Sequence, residues 1–82
     1  MVHGEVQGVF FREECRQQAQ GAGVAGSARN LSDGRVEVVL EGDEDGVDSV
    51  VEWCHQGPSG AQVTGVDVSD EEPEGLSGFE TR

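Results

Sequence analysis

Two stretches of the chain carry apolar residues at helical spacing, and each predicts an amphipathic helix. The first stretch runs from Arg12 to about Ala22 and ends at two glycines, Gly21 and Gly23. The second ends where Gly57-Pro58-Ser59-Gly60 interrupts the pattern. The apolar positions are Phe11, Cys15, Ala19 and Ala22 in the first stretch, and Val47, Val50, Val51 and Cys54 in the second.

Short valine-rich stretches on either side of these helices predict β-strands. The residues Ser32-Asp33-Gly34 have the composition of a turn, so the strands flanking them form a hairpin. In the fourth candidate strand, valines fall on both sides of the alternation, and either face could be the apolar one. The candidate strands are Val2–Gly4, Val24–Asn30, Arg35–Leu40, Val63–Val68 and Gly78–Arg82.

The order of these elements is β-α-β-β-α-β, followed by a short extra strand at the C-terminal end. This order predicts an α+β, ferredoxin-like sandwich, in which an antiparallel sheet carries both helices on one face. A chain of 82 residues has room for one domain, which we expect to span residues 1–82.

Composition complicates this prediction, because low apolar content combined with high net charge is typical of disordered chains. Only 34% of the residues are hydrophobic, and the net charge is −12. Residues 1–30 are neutral overall, with three acids and three arginines, so the whole excess of negative charge falls in residues 31–82. Acids alternate with valines there, which favours the charged faces of ordered elements over an acidic tail.

Charge and composition also exclude several classes of function. A chain this acidic lacks the basic patch that nucleic acids require, and an acidic membrane surface would repel it. No lysine is present for a Walker-A motif or a Schiff base, and no apolar run is long enough to span a membrane. The first five residues contain no signal-peptide core, and we expect a cytoplasmic monomer.

The candidate chemistry lies between the first strand and the first helix. Gly4 and Gly8 allow the backbone to curl so that several N–H groups point inward, as in sites that bind phosphate at a helix N-terminus. Arg12 lies in the first turn of that helix, where its guanidinium can meet two phosphate oxygens. Glycine spacing alone is a weak signal and favours an ordinary turn followed by a solvated arginine.

Four segments resemble the acylphosphatase family in the same order and at similar spacing, and together they cover nearly the whole chain. The core of the resemblance is Gln7-Gly8-Val9-x-Phe11-Arg12, followed downstream by Asn30-x-x-Asp33-Gly34. The full segments are Gly4-x-Val6-Gln7-Gly8-Val9-x-Phe11-Arg12, Arg29-Asn30-Leu31-x-Asp33-Gly34-x-Val36-Glu37, Trp53-Cys54-x-x-Gly57-Pro58-x-Gly60-Ala61-x-Val63, and Ser77-Gly78-Phe79-Glu80.

The resemblance implies the same sandwich fold and the hydrolysis of small acyl phosphates to a carboxylate and inorganic phosphate, without a metal or a cofactor. The position of the family's catalytic arginine is occupied by Arg12, which would bind the phosphate. The position of its catalytic asparagine is occupied by Asn30, which would hold the attacking water and is otherwise interpretable as a turn residue. The phosphate-cradling loop would comprise Glu5, Val6, Gln7, Gly8, Val9, Phe10 and Phe11.

A second function class stays open, a non-catalytic or carbamoyl-phosphate-binding module of this type within a larger assembly. The surplus of acids and the absence of lysine resemble proteins adapted to high salt. Cys15 and Cys54 are expected to be buried free thiols, although a disulfide between the helices is conceivable. Glu13 and Glu14 suit a helix N-terminus but would repel a phosphate, so both are expected to point away from the loop.

Overall fold

The computed structural model describes residues 1–7, 10–68, 75 and 77–82. It contains two helices and a five-stranded sheet in the predicted order, with bounds that differ from the predicted ones by a few residues at most. The elements are β1 (Val2–Glu5), α1 (Phe11–Gly21), β2 (Ala25–Asn30), β3 (Val36–Glu41), α2 (Glu44–Gln56), β4 (Gln62–Val66) and β5 (Phe79–Thr81). Neither helix in this part of the chain is long and apolar enough to cross a membrane.

The sheet has the strand order β4-β1-β3-β2-β5, which confirms the ferredoxin-like prediction for its first four strands. The pairs β1–β3, β1–β4 and β2–β3 are antiparallel, as predicted. The short C-terminal strand departs from this pattern, because β5 pairs with β2 in the parallel direction and makes the sheet mixed. As a result, β1, β2 and β5 run the same way and end at the same edge of the molecule.

Both helices bury their predicted apolar stripes in one core. Helix α1 buries Phe11, Cys15 and Ala19, and packs over β2 and β5. Helix α2 packs over β4 and against α1, with the rings of Phe11 and Trp53 5.1 Å apart between their centroids. The other fully buried apolar residues are Val2, Val6, Val24, Ala28, Val36, Val50, Cys54 and Phe79.

The structure answers two points that the sequence left open. In β4, Val63 packs against the core while Gln62 and Thr64 are exposed. Cys15 and Cys54 are buried and form no disulfide, which confirms the expectation of free thiols. The hydrogen bond between the two thiols, together with burial, raises the pKa of Cys15 above its usual range. This thiol is therefore protonated and poorly nucleophilic at neutral pH.

Candidate active site

The edge at which β1, β2 and β5 end meets the start of helix α1, and a cavity of about 330 Å³ opens between them. Its wall combines the apolar side chains of the loop with polar groups from α1, β2 and β5. The lining residues are Val6, Phe10, Phe11, Arg12, Glu13, Asn30 and Thr81.

The first turn of α1 supplies backbone donors to this cavity. Phe10 precedes the helix in the left-handed conformation (φ 60°), and its carbonyl accepts the first helical hydrogen bond from the N–H of Glu14 at 3.0 Å. The N–H groups of Phe11, Arg12 and Glu13 come before that bond and have no carbonyl partner within the helix. No described side chain caps them. Such a terminus, with its partial positive charge, binds anions.

Arg12 differs from the other four arginines in its partners. Its Nη1 donates a hydrogen bond to the main-chain oxygen of Arg82, and no carboxylate among the described residues pairs with it. Each of the others meets an acid in the described part of the chain, in the pairs Arg16–Glu13, Arg29–Glu37, Arg35–Asp33 and Arg82–Glu80. Arg12 is thus oriented by a main-chain oxygen, whereas the other four arginines pair with acidic side chains.

Asn30 reaches the same cavity from the opposite side. It is the last residue of β2, pairs with Val36 across the hairpin and is half-buried. The segment before α1 is fastened to this hairpin by Gln7, whose Nε2 donates to the carbonyls of Leu31 at 2.8 Å and Arg35 at 3.2 Å. These bonds fix the position of the loop relative to Asn30.

Glu13, which was expected to point away from the loop, is one of the residues that line the cavity. Its carboxylate is held by Arg16, one turn further along α1, and this hydrogen bond lowers the pKa of Glu13. Because the two side chains form an ion pair, the charge that Glu13 presents to an anion is partly compensated. Glu14 lines an adjoining cavity.

The structure brings most of the predicted site residues together, but not all of them. Val6, Phe10 and Phe11 line the cavity with Arg12 and Asn30. Glu5 is exposed at the end of β1 and does not line it, and Gln7 serves as the tether to the hairpin. Gly8 and Val9 lie outside the described residues.

Sequence reasoning missed two contributions, Thr81 in the cavity wall and the main-chain oxygen of Arg82 at Arg12. Both come from the region of β5, and their placement depends on its parallel pairing with β2. The alternation of apolar residues carries no signal for the direction of so short a strand. In the described part of the chain, no three His, Cys, Asp or Glu side chains are grouped as a metal site would require.

Comparison with known proteins agrees with this geometry. The family model described as "Acylphosphatase" matches residues 1–81. The chain belongs to the acylphosphatase family. It is 56% identical to an acylphosphatase of Haloquadratum walsbyi over 81 residues, which are 99% of this chain and 87% of that protein. An acylphosphatase structure from Coxiella burnetii superposes with a TM-score of 0.95 at 41% identity, covering 99% of this chain and 85% of the other.

Acylphosphatase-like domains also occur inside larger proteins, and the chain resembles one of these. The structure of T. kodakarensis HypF superposes with a TM-score of 0.86 at 28% identity. The match covers 99% of this chain but only 11% of that one. Identity and shared length both favour the small acylphosphatases over the module of a larger assembly.

Proposed function

We propose that this protein is an acylphosphatase, formed by a single domain of residues 1–82, which hydrolyses the carboxyl-phosphate bond of small acyl phosphates. The observation that carries the proposal is the arrangement of three groups around one cavity, namely the start of helix α1, Arg12 and Asn30. The start of α1 and Arg12 can bind an anion, and the side-chain amide of Asn30 can hold a water molecule.

The phosphate group binds at the start of α1. The backbone N–H groups of Phe11, Arg12 and Glu13 donate to its oxygens. Gly8 and Val9 are proposed as further phosphate-binding residues on the family resemblance alone. The guanidinium of Arg12 forms charge-assisted hydrogen bonds to two further oxygens. Its bond to the main-chain oxygen of Arg82 leaves most of its N–H groups for the substrate.

Asn30 orients the attacking water with its side-chain amide. The water oxygen forms a bond to phosphorus while the bond from phosphorus to the acyl oxygen breaks in line with it. The carboxylate leaves with the electron pair of the broken bond, and both water protons end on the inorganic phosphate. A carboxylate is a good leaving group, so catalysis requires positioning and charge stabilisation more than acid catalysis.

This scheme uses only groups of the chain itself, and we propose that it operates without a metal or a cofactor. We also propose a cytoplasmic monomer whose partners are the substrate and phosphate, with no nucleic acid or membrane. Finally, we propose that the acidic surface adapts the protein to high salt. The acids Glu44, Asp45, Asp48 and Glu52 are all exposed on α2, which supports this last point.

The proposal is tested by measuring the hydrolysis of benzoyl phosphate, with and without a chelator, at low and high salt. Wild type should hydrolyse it equally well in both chelator conditions. Arg12→Ala should be inactive, while Arg29→Ala, which removes an arginine already paired with Glu37, should stay active. Absence of hydrolysis by wild type in every condition, or equal loss in the two variants, would contradict the proposed function.

A further inference from the structure

Phe10 combines two unusual features at the mouth of the candidate site. Its side chain is 79% exposed, although large aromatic side chains are normally buried. It is also the one described residue other than glycine with a positive φ, a conformation that is unfavourable for a bulky residue. Strained backbone of this kind persists where function requires it, and here it holds an aromatic ring out into solvent.

Phe10 lines two neighbouring cavities. The first is the site of about 330 Å³ that contains Arg12 and Asn30. The second, of about 390 Å³, is lined by Phe10, Glu13, Glu14, Gln17 and Ser59. Phe10 and Glu13 belong to both walls, so the second cavity continues the first. A substrate held by its phosphate in the first cavity therefore has the second as an adjoining space for its acyl group.

We propose that the second cavity is the subsite for the acyl group and that Phe10 determines its specificity, favouring ring-bearing acyl groups without a negative charge. This inference rests on the proposed function, because it assumes that the phosphate occupies the first cavity. An aromatic ring offers stacking or edge-to-face contact to another ring, and a small acyl group such as acetyl gains little from it.

The acids of the second cavity add a selection by charge. Glu13 is paired with Arg16, whereas Glu14 has no basic partner among the described residues. A second carboxylate on the acyl group would therefore meet the uncompensated charge of Glu14 and be repelled. Together, Phe10 and Glu14 favour benzoyl phosphate over acetyl phosphate, and also over 4-carboxybenzoyl phosphate.

The role of the ring is tested by the ratio of kcat/KM for benzoyl phosphate to that for acetyl phosphate. Phe10→Gly removes the ring, and glycine adopts the left-handed conformation without strain. The ratio should fall about three- to tenfold, the size expected for one aromatic contact. Acetyl phosphate reports any general effect on the loop, which cancels in the ratio. Phe10→Tyr should restore the wild-type ratio, because it keeps the ring.

Val68→Ala is the matched control, since Val68 is, with Phe10, the other strongly exposed large apolar residue among those the structure describes, at 63%, and does not line either cavity. It should leave the ratio unchanged. If Phe10→Gly lowers both activities equally and keeps the ratio, the inference is wrong while the proposed function stands. If wild type hydrolyses neither substrate, the proposed function itself fails, and the inference falls with it.

The role of charge is tested by comparing 4-carboxybenzoyl phosphate with benzoyl phosphate at low ionic strength. Glu14→Gln should raise the relative use of the carboxylated substrate by about two- to fivefold, and the gain should shrink in high salt. Asp45→Asn removes the same charge at the far end of α2, about 16 Å along the helix from the end near Ser59, and should have no such effect. An equal gain in both variants would show a general field effect and overturn the selection by Glu14.

Discussion

The way in which Arg12 is held distinguishes it from the other arginines of this acidic protein. In a protein with a net charge of −12, every arginine would be expected to pair with an acidic side chain, and the other four do so. Arg12 instead donates to the main-chain oxygen of Arg82, and no acidic side chain among the described residues pairs with it. We therefore expect its guanidinium to be available to a bound phosphate.

Replacing Arg12 and replacing Asn30 are expected to impair catalysis in different ways. Arg12→Ala should weaken inhibition by inorganic phosphate and lower kcat/KM by at least about 100-fold, because the guanidinium binds both substrate and transition state. Asn30→Ala should lower kcat by about 100-fold while phosphate inhibition changes by less than about threefold. Steady-state kinetics with phosphate as a competitive inhibitor measures both effects.

The two replacements also test whether Arg12 binds the phosphate and Asn30 holds the water. An Asn30→Ala enzyme with near-normal kcat would rule out the water-holding role. An Arg12→Ala enzyme that binds phosphate as tightly as wild type would remove Arg12 from the binding site.

At the scale of the elements, the β2–β3 hairpin positions Asn30 and accepts two hydrogen bonds from the side chain of Gln7. Its turn is closed by Asp33, which accepts hydrogen bonds from the Nε of Arg35 at 2.7 Å and from the N–H of Arg35 at 3.1 Å. These bonds, the side-chain one foremost, lower the pKa of Asp33. The turn is therefore stabilised by the ionised form of Asp33.

This arrangement predicts a definite dependence on pH. Because the folded-state pKa of Asp33 lies below the unfolded value of about 3.9, its contribution is present above that value and is lost as pH falls through the folded-state pKa. Asp33→Asn should lower the melting temperature slightly at pH 6 and make no difference near pH 2. Thermal unfolding of both proteins across this range measures the change. A difference in melting temperature between the two proteins that stays constant down to pH 2 would show that the carboxylate charge is not the stabilising feature.

Two glycines in neighbouring elements are expected to respond to alanine with opposite signs. Gly26 in β2 has φ +153°, and a Cβ there would lie 1.7 Å from the carbonyl oxygen of Val39. Gly21, at the end of α1, has nothing within 4 Å of that position. Gly26→Ala should lower the free energy of unfolding by at least about 2 kcal/mol. Gly21→Ala should raise it by about 0.5–1 kcal/mol.

Denaturant unfolding followed by Trp53 fluorescence measures both glycine variants. Equal destabilisation in the two would indicate that glycine is required at Gly21 for a reason other than space.

The elements also show where sequence reasoning succeeded and where it stopped. Both helices follow from the spacing of Phe11, Cys15 and Ala19 and of the α2 valines, because a helix buries one stripe of side chains. The parallel pairing of β5 could not be foreseen, since alternation gives the faces of a strand and not its direction. The positive φ of Phe10 and the hydrogen bond from Arg12 to Arg82 depend on tertiary contacts, so the motif that contains both residues could not indicate either feature.

The stability of the whole molecule depends on the balance between repulsion among its acidic side chains and the burial of a small apolar core. The principal extents are 29 × 22 × 19 Å. At about 0.01 M salt the screening length is roughly 30 Å, so charges repel one another across the entire protein. At about 1 M it is roughly 3 Å, and only adjacent charges still interact. A core built mainly of valine and alanine offers little area to offset the repulsion.

We therefore expect the melting temperature and the activity to rise together as potassium chloride increases from near zero to above about 2 M. Circular dichroism and Trp53 fluorescence measure the unfolding. A variant with Asp45→Asn, Asp48→Asn and Glu52→Gln serves as the control, and its stability should depend less on salt. An unchanged melting temperature over the whole titration would show that the acidic surface does not limit stability.

The hydrogen bond from Arg12 to residue 82 joins positions 70 apart in sequence, and this separation matters during synthesis of the protein. Translation produces Arg12 well before its partner, because synthesis runs from the amino to the carboxyl end. While a ribosome still encloses β5, α1 and the β2–β3 hairpin can already be outside, but Arg12 lacks the group that orients it. We therefore expect a nascent chain to be inactive until β5 has emerged and docked beside β2.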